Sequence, residues 1–486
     1  MFESTSSGPL RSREVQAWTV FGISILLLKL LFFALDPAPK LYMGDSASYI
    51  WTALSDWIPE ARSYFYGYVI RWSSVWTQSL TWLLVLQLLL SAITSILMAL
   101  TCRFVFKLSA RWSYSFGFVC ALDPLQLLYE RSVMTEAISL FLYALVLHRA
   151  FLYLRDRRWQ DLALIQAVSV LLIGFRMSYL PLVQLDTVLL PLIAFSEDIW
   201  RFLWHRSRQS ASRWPSLRSF GGHLLISVLL MFLLHTGYKQ ANGWISHRPP
   251  AYLHATGIHL LAVLSPALEP QDSPDPGLAD LIRHGDEFGL KDVDLRNNQR
   301  FSPGYLIDRF SKLHPERSGA ERLARQTAMN ALRRNPWAVA RIAWHVYVGY
   351  WSAATMKQSA ESDFSFANPP TDDLIALLAA RFHLTVQKGD QTKSVLQWYY
   401  LEAWPYYFVL LLAPLLAGIG LCFRSTREYA VLLFIHVCVM LTLVGTFGGQ
   451  NVRFFQPISF ATLLVIALLA TAFGRANGFE SRLDND

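Results

Sequence analysis

Two carboxylates and several arginines stand beside long apolar stretches of this sequence, where they could carry group-transfer chemistry. Asp45 follows the first apolar stretch, and Glu136 begins a later one. A carboxylate suits a general base that removes the proton of an acceptor hydroxyl. Arginine can bind a phosphate through two parallel hydrogen bonds. The arginines in comparable positions are Arg62, Arg131, Arg176 and Arg453. Together these residue types indicate transfer from a phosphate-bearing donor at a membrane surface.

The stretch around Asp45 is expected to form a helix at that surface. A helix would place Asp45, Tyr49 and Asp56 on one face. Its apolar stripe would consist of Ile50, Leu54, Trp57 and Ile58. Such a helix would lie flat on the lipid and hold Asp45 over the head groups.

The composition is that of a polytopic helical membrane protein. Hydrophobic residues make up 53% of the chain and charged residues 16%, and apolar stretches of about 20 residues, enough to span a bilayer, recur throughout. The net charge of +8 comes from basic residues in short loops on alternate sides of these stretches, as the positive-inside rule expects. We therefore predict no nucleic-acid partner. The four cysteines form no CxxC pair, so a thiolate metal site is not expected.

Ten membrane spans are predicted in an all-α bundle of membrane helices. They cover residues 17–35, 80–104, 112–128, 137–154, 162–175, 179–195, 221–240, 404–423, 429–446 and 455–473. The basic loops then fall on the cytoplasmic side, together with both chain ends. The loops that hold Asp45, Glu136, Arg176 and Arg453 all fall on the outer side. This common side is the strongest indication of a functional site.

Three regions follow from this topology. Residues 1–241 form an N-terminal membrane module, whose first outer loop covers 36–79. Residues 242–400 form a mostly helical extracytoplasmic region, in which 336–352 is expected to be an interfacial helix. Residues 401–486 form a C-terminal membrane module.

Several short motifs, in this order, resemble the GT-C superfamily of integral-membrane glycosyltransferases. They are Gly44-Asp-Ser-Ala-Ser-Tyr49, Arg62-Ser-Tyr-Phe-Tyr-Gly67, Pro124-Leu-Gln-Leu-Leu-Tyr-Glu-Arg131, Met134-Thr-Glu-Ala137, Gly174-Phe-Arg176 and Asn451-Val-Arg-Phe-Phe-Gln-Pro457. The chain is most similar to the branches of protein O-mannosyltransferases, aminoarabinose transferases and RgtA-like enzymes. The resemblance covers the spans up to about Pro181 and the last span.

This resemblance implies transfer of a sugar from a polyprenyl-phosphate donor to a glycan, lipid or protein acceptor, on the outer face of the inner (plasma) membrane. Asp45 matches the aspartate taken as catalytic base, and Glu136 would be a second acidic group. The residues expected to bind the donor are Tyr49, Arg62, Tyr64, Arg131, Arg176, Lys239 and Arg453. Many relatives carry a second acid directly after the loop aspartate, whereas this chain has Ser46. A divalent cation is therefore unsupported, and no cofactor is predicted besides the lipid-phosphate sugar as co-substrate.

Each candidate residue also has a structural interpretation. Asp45 could cap a helix, and the charge of Glu136 would be favourable at a helix N-terminus without any catalytic role. Arg131 and Arg176 could be interfacial residues whose charged ends reach water. Asp123 is expected to pair with Arg131 as a structural contact.

Two other functions stay open. A transporter or flippase of a lipid-linked or anionic substrate would need functional charges near the middle of the membrane and two related halves. The sequence has no convincing internal repeat, and its candidate charges gather at one face. A scaffold with a large outer domain would not require Asp45, Glu136 and Arg176 to come together.

Overall fold

The computed structural model describes residues 9–55, 57–204, 214–364, 370–387, 392–448 and 451–476. Regular structure in these ranges is helical, apart from one isolated parallel β-bridge between Lys40 and Ser132. Asp56, predicted to share a face with Asp45, and both chain ends lie outside the described residues.

Seven helical segments in these ranges are long and apolar enough to cross a membrane. They are Arg13–Leu35, Thr81–Val105, Glu136–Asp156, Met177–Ala194, Leu217–Ser246, Arg427–Thr446 and Val452–Arg475. Each coincides with a predicted span, which agrees with a polytopic helical protein.

The N-terminal half contains eleven helices within the described residues. These are α1 (Pro9–Leu35), α2 (Met43–Leu54), α3 (Phe65–Ile70), α4 (Thr81–Leu100), α5 (Ala110–Ala121), α6 (Pro124–Tyr129), α7 (Glu136–Asp156), α8 (Trp159–Phe175), α9 (Leu180–Ala194), α10 (Ser196–Trp204) and α11 (Trp214–Ser246). Helix α7 lies at the centre of this half and packs against α4, α8 and α9. Its first residue is Glu136, so the predicted acid is held by the most enclosed helix of the module.

The three remaining predicted spans are short or interrupted. Helix α8 has 17 residues. The span predicted at 112–128 breaks at Asp123, whose Oδ1 accepts the N–H of Leu125 at 2.8 Å and so caps α6. The carboxylate of Asp123 also accepts the hydroxyls of Ser459 and Tyr406. The predicted pairing with Arg131 was therefore wrong, because the cap and these hydroxyls satisfy Asp123.

Residues 242–400, which we call the outer region after their predicted side, and the C-terminal module contain the other α-helices of the described residues. These are α12 (Thr256–Val263), α13 (Pro276–Arg283), α14 (Arg296–Phe301), α15 (Leu306–Leu313), α16 (Arg317–Arg334), α17 (Ala338–Gly349), α18 (Ala353–Glu361), α19 (Asp372–Phe382), α20 (Val395–Glu402), α21 (Trp404–Leu411), α22 (Ala413–Gly420), α23 (Arg427–Leu443) and α24 (Gln456–Ala476). Helices α21 and α22 divide the span predicted at 404–423 at Leu412, where α21 ends and Pro414 opens the next helix.

The outer region has a hydrophobic core of its own and is anchored to the membrane module. Leu261 of α12, Phe310 of α15 and Ala328 of α16 are fully buried in that core. Arg296 donates hydrogen bonds to the carbonyls of Gly445 and Thr446 in a π-helical turn after α23. This anchor fixes the outer region beside the segment that leads to Arg453.

A helix forms around Asp45 as predicted, but α2 ends at Leu54, before Trp57 and Ile58. Ile50, expected to face lipid, is fully buried, and Tyr49 is buried beside it. Helix α3 approaches so closely that a Cβ at Gly67 would lie 2.5 Å from Cγ2 of Thr52. The first outer loop therefore folds back over α2, and Ile50 faces protein. Trp57, which is 50% exposed, and Ile58 lie beyond the end of the helix, so the four predicted residues do not form one helical stripe.

Candidate functional site

Ser46 ties the first outer loop to the turn that precedes Glu136. Its hydroxyl donates to the carbonyl of Val133 at 3.0 Å and accepts the N–H of Tyr42 at 2.8 Å. The backbone of Lys40 bonds to Arg131 and Val133 on the same turn, at 2.7 and 2.9 Å. The serine found in place of a second acid thus positions Asp45 relative to Glu136.

Asp45 lies between two arginines that are distant in sequence. Its Oδ1 accepts a hydrogen bond from Nη1 of Arg62 at 2.5 Å, and its Oδ2 accepts one from Nη1 of Arg453 at 2.9 Å. The Asp45 side chain is 22% exposed. The predicted base is therefore accessible, and both of its oxygens are bound by cations.

These arginines decide the protonation of Asp45. Burial alone would raise the pKa of its carboxyl, but Arg453 and then Arg62 outweigh burial and lower that pKa to about 2. Asp45 is consequently ionised at neutral pH. Another anion bound to the two arginines would offset part of their positive charge and raise the pKa of Asp45, which makes the carboxylate a stronger base.

Glu136 joins the same network through Arg453 and Arg176. Its Oε1 lies 3.4 Å from Nη1 of Arg176 and 3.9 Å from Nε of Arg453. Both guanidinium groups lie over the ring of Phe454, at 5.0 and 4.7 Å from its centroid. Arg453 thus links the two predicted carboxylates. We call Asp45, Glu136, Arg62, Arg176 and Arg453 the arginine–carboxylate site.

Tyr42 and Tyr49 provide aromatic surfaces at this site. Arg453 lies 4.3 Å from the ring centroid of Tyr42, whose hydroxyl accepts a hydrogen bond from Nδ2 of Asn451 at 2.7 Å. The guanidinium of Arg62 lies 5.6 Å from the ring centroid of Tyr49. Stacking on rings holds each guanidinium in a fixed plane, which favours directional binding of an anion.

Arg300 of the outer region is a fourth arginine at this site, which sequence reasoning did not find. Arg62, Asp45 and Arg453 all act on it electrostatically. Burial, followed by Arg62, lowers the pKa of its guanidinium to about 10, so it is charged at neutral pH. Its Nη2 lies 3.1 Å from Nε2 of His259. Four arginines then face two carboxylates, which leaves an excess of positive charge for an anionic ligand.

Asp363 is a second residue that the sequence did not indicate. It is buried at the end of α18, and its Oδ2 accepts the hydroxyls of Tyr129, at 2.8 Å, and of Tyr400. Burial raises the pKa of this carboxyl to about 7, although the two tyrosines and Arg453 lower it. Asp363 therefore couples α6, next to the site, to α18 and α20 of the outer region.

This coupling predicts a pH-dependent stability. The pKa of Asp363 in the folded protein lies above its usual value. The protonated carboxyl therefore contributes to the stability of the fold fully below about pH 4, and this contribution is lost as the pH rises through about 7. Asp363→Asn should remove this dependence and stabilise the protein relative to wild type at pH 8, by up to about 4 kcal/mol. Thermal unfolding in detergent at pH 5 and pH 8 measures the difference. Asp280→Asn, at an exposed position, is the control. An Asp363→Asn variant with the wild-type pH dependence would contradict the assignment.

Arg131 lies in a separate, fully buried ion cluster. Nζ of Lys29 is 2.9 Å from Oε2 of Glu130, and Nη2 of Arg131 is 3.3 Å from Oε1 of Glu130. Arg131 also lies over the ring of Phe33, at 4.8 Å. This cluster ties α1 to the turn between α6 and α7. The contacts of Arg131 are therefore structural, and Arg131 does not lie at Asp45.

Tyr64 and Lys239, also predicted to bind the donor, make other contacts. The ring of Tyr64 packs on those of Phe65 and Tyr68, at 5.1 and 5.2 Å between centroids. Nζ of Lys239 lies 5.3 Å from the ring centroid of Tyr252. Neither residue has a contact with Asp45 or Glu136 among those found for the described residues.

Comparison with protein-family models, curated proteins and solved structures finds no match to this chain. In the described part of the chain, no group of three or more His, Cys, Asp or Glu side chains could hold a metal ion.

Proposed function

We propose that this protein is an integral-membrane glycosyltransferase of the GT-C type. It would move a sugar from a polyprenyl-phosphate donor to a hydroxyl of a glycan, lipid or protein acceptor on the extracytoplasmic face. The observation that carries the proposal is the position of the Asp45 carboxylate between Arg62 and Arg453. A general base and two phosphate-binding groups then adjoin one another at the edge of an apolar bundle.

The state of the arginines supports an anionic ligand. Nη1 of Arg176, Nε of Arg300 and Nε of Arg453 are buried and have no hydrogen-bond partner in the protein. Buried donors are normally paired, and guanidinium groups match phosphate oxygens in geometry and charge. A lipid phosphate would provide acceptors for these donors and balance the excess charge of the four arginines.

The chemical step follows from these positions. Asp45 accepts the proton of the acceptor hydroxyl, and the acceptor oxygen forms a bond to the anomeric carbon of the sugar. The bond between that carbon and the phosphate oxygen breaks, and the lipid phosphate leaves with its electron pair. Arg62 and Arg453 stabilise the negative charge that develops on the leaving phosphate. Glu136 holds Arg176 and Arg453 in place for this role.

Donor binding would also activate the base. In the absence of another anion, the two arginines hold the pKa of Asp45 at about 2. A phosphate bound to the same arginines repels the Asp45 carboxylate and offsets their positive charge. Both effects raise the pKa of Asp45. Asp45 would thus gain proton affinity when the donor is in place, and acceptor deprotonation would depend on donor binding.

The proposed membrane arrangement is multi-pass in the inner (plasma) membrane, with about ten spans and both chain ends in the cytoplasm. Glu136 begins α7, Arg453 precedes α24 and Arg176 directly follows α8. These positions support a site at one end of the bundle, on the extracytoplasmic side. Residues 242–400 would cover it there and contribute to the choice of acceptor.

The test is a transfer assay with purified protein in detergent. Wild-type protein is supplied with a panel of polyprenyl-phosphate sugars, and the release of polyprenyl phosphate and the glycosylated acceptor are measured. We expect polyprenyl phosphate and glycosylated acceptor to form with at least one of these donors, and no glycosylated acceptor to form from the corresponding sugar nucleotide. Consumption of the nucleotide donor alone would contradict a lipid-phosphate transferase.

A transporter or flippase is the second candidate, because one polar cluster lies inside the bundle. Oδ1 of Asp186 is 2.9 Å from Nε2 of His436, whose Nδ1 is 3.1 Å from the hydroxyl of Tyr143. The three side chains are buried on α9, α23 and α7. Ionisable groups at this depth are functional candidates. Translocation of a labelled lipid-linked sugar across proteoliposomes, lost in Asp186→Asn, would favour this function.

A further inference from the structure

Two polar side chains next to the arginine–carboxylate site are fully buried and lack partners. The hydroxyl of Tyr179, the amide oxygen of Gln456 and the amide nitrogen of Gln456 have no hydrogen-bond partner in the protein. Tyr179 is 3% exposed and Gln456 is 1% exposed. Buried groups of this kind are rarely left unpaired, because losing hydration without compensation is costly. Their presence indicates a polar ligand.

Both residues flank the same stretch of α7, on the membrane side of Glu136. The ring of Tyr179 lies 5.3 Å from that of Tyr143, which follows Glu136 by two helical turns. The ring of Phe460 lies 6.4 Å from the ring of Tyr143. Gln456 precedes Phe460 by one turn of α24 and is thus one turn nearer to Glu136.

The two residues are also connected to the arginines of the site. Tyr179 follows Arg176 by three residues, and Gln456 follows Arg453 by three. Arg176 and Arg453 both approach Oε1 of Glu136, at 3.4 and 3.9 Å. If the phosphate of a ligand binds to Arg176 and Arg453, the group attached to that phosphate would therefore lie near Tyr179 and Gln456.

The chemistry of these groups defines that neighbouring group. A phenol and a primary amide are uncharged and offer both donors and acceptors, which suits hydroxyl groups. We propose that Tyr179 and Gln456 form a subsite for a neutral polyol, namely the sugar of the lipid-linked donor. This inference rests on the proposed function and assigns two residues to sugar recognition. Ordered water could satisfy the same atoms, and the experiment separates the two.

The experiment compares the binding of two lipids to the full-length protein. One is polyprenyl phosphate without a sugar, and the other is the polyprenyl-phosphate sugar that the wild-type protein turns over. We expect Tyr179→Phe and Gln456→Leu each to weaken binding of the sugar-bearing lipid about 5- to 10-fold, because one or two hydrogen bonds are lost. Binding of the sugar-free lipid should not change. The melting temperature should stay equal or rise, because each variant removes polar atoms that have no partner in the protein.

Tyr347→Phe is the matched control, since the hydroxyl of Tyr347 donates to the carbonyl of Leu411 at 2.9 Å. It should lower the melting temperature and leave the preference between the two lipids unchanged. If Tyr179→Phe and Gln456→Leu keep the wild-type preference, the inference is overturned and the two residues contact water only. If wild-type protein binds neither lipid, the proposed function fails, and this subsite fails with it.

Discussion

Asp45→Asn is expected to abolish sugar transfer and leave the fold intact. The amide keeps the size of the side chain and can still accept hydrogen bonds from Arg62 or Arg453, but it cannot take the proton of the acceptor. Loss of a general base typically costs a factor of about 10² to 10⁴ in rate. The measurement is release of polyprenyl phosphate by purified protein at saturating donor.

The same substitution should affect stability only slightly. The pKa of Asp45 is lowered to about 2, so the folded protein favours the charged form by about 2 kcal/mol. Asp45→Asn should lower the free energy of unfolding by no more than this at pH 7. Asp280→Asn, at a 60% exposed carboxylate on α13, is the control and should keep full activity. A folded Asp45→Asn protein with wild-type transfer would exclude Asp45 as the base.

Most residues of the site could be predicted from the sequence, because the topology restricts which charged residues lie on the same side of the membrane. Asp45, Glu136, Arg176 and Arg453 each begin or follow an apolar stretch, and counting spans puts them on one side. The structure brings these four side chains together through Arg453, which lies 408 positions after Asp45. Their roles in a reaction stay predictions that the experiments above test.

What the sequence did not indicate depends on contacts between distant segments. Arg300 and Asp363 belong to polar stretches of the outer region, where charged residues are common and most face water. Arg300 reaches the site, and Asp363 reaches α6 beside it, only because the outer region docks onto the membrane module through contacts such as that of Arg296 with Gly445. Arg131 was assigned to the donor because it lies in a turn on the predicted outer side. Its side chain instead pairs with Glu130, which also pairs with Lys29 inside an otherwise apolar span.

The local errors in the fold have similar causes. Hydrophobic periodicity identified α2 correctly, but an apolar position fits a protein surface as well as it fits lipid, and Ile50 is buried in the protein. The span predicted at 112–128 is apolar enough to be continuous. It breaks because Asp123 and Pro124 together are a strong signal for a new helix start, which outweighs the apolar composition.

Arg453→Gln is expected to lower kcat/KM for transfer by a factor of about 30 or more. Arg453 donates to Asp45 at 2.9 Å, approaches Glu136 at 3.9 Å and lies over the rings of Tyr42 and Phe454. Glutamine removes the charge that would bind the leaving phosphate. Removing one member of a largely buried charge pair costs about 2–5 kcal/mol, which corresponds to a factor of about 30 to several thousand.

The substitution should also change the pH dependence of the residual activity. Burial raises the pKa of Asp45, and Arg453 makes the largest opposing contribution. Without Arg453, the pKa of Asp45 rises, because Arg62 alone opposes burial. A general base must be ionised, so activity is lost as pH falls through this pKa. The acid limb of the profile of kcat/KM against pH should therefore move to higher pH in the variant.

Two further variants separate charge from geometry. Arg453→Lys keeps the positive charge, so the acid limb should stay near its wild-type position. Lysine cannot form two parallel hydrogen bonds, so this variant should bind the donor weakly. Arg283→Gln, at a 62% exposed arginine on α13, should behave as wild type. If Arg453→Gln instead kept the wild-type acid limb, Arg453 would not control the charge of Asp45. The link that Arg453 makes from Asp45 to Glu136 would then be structural.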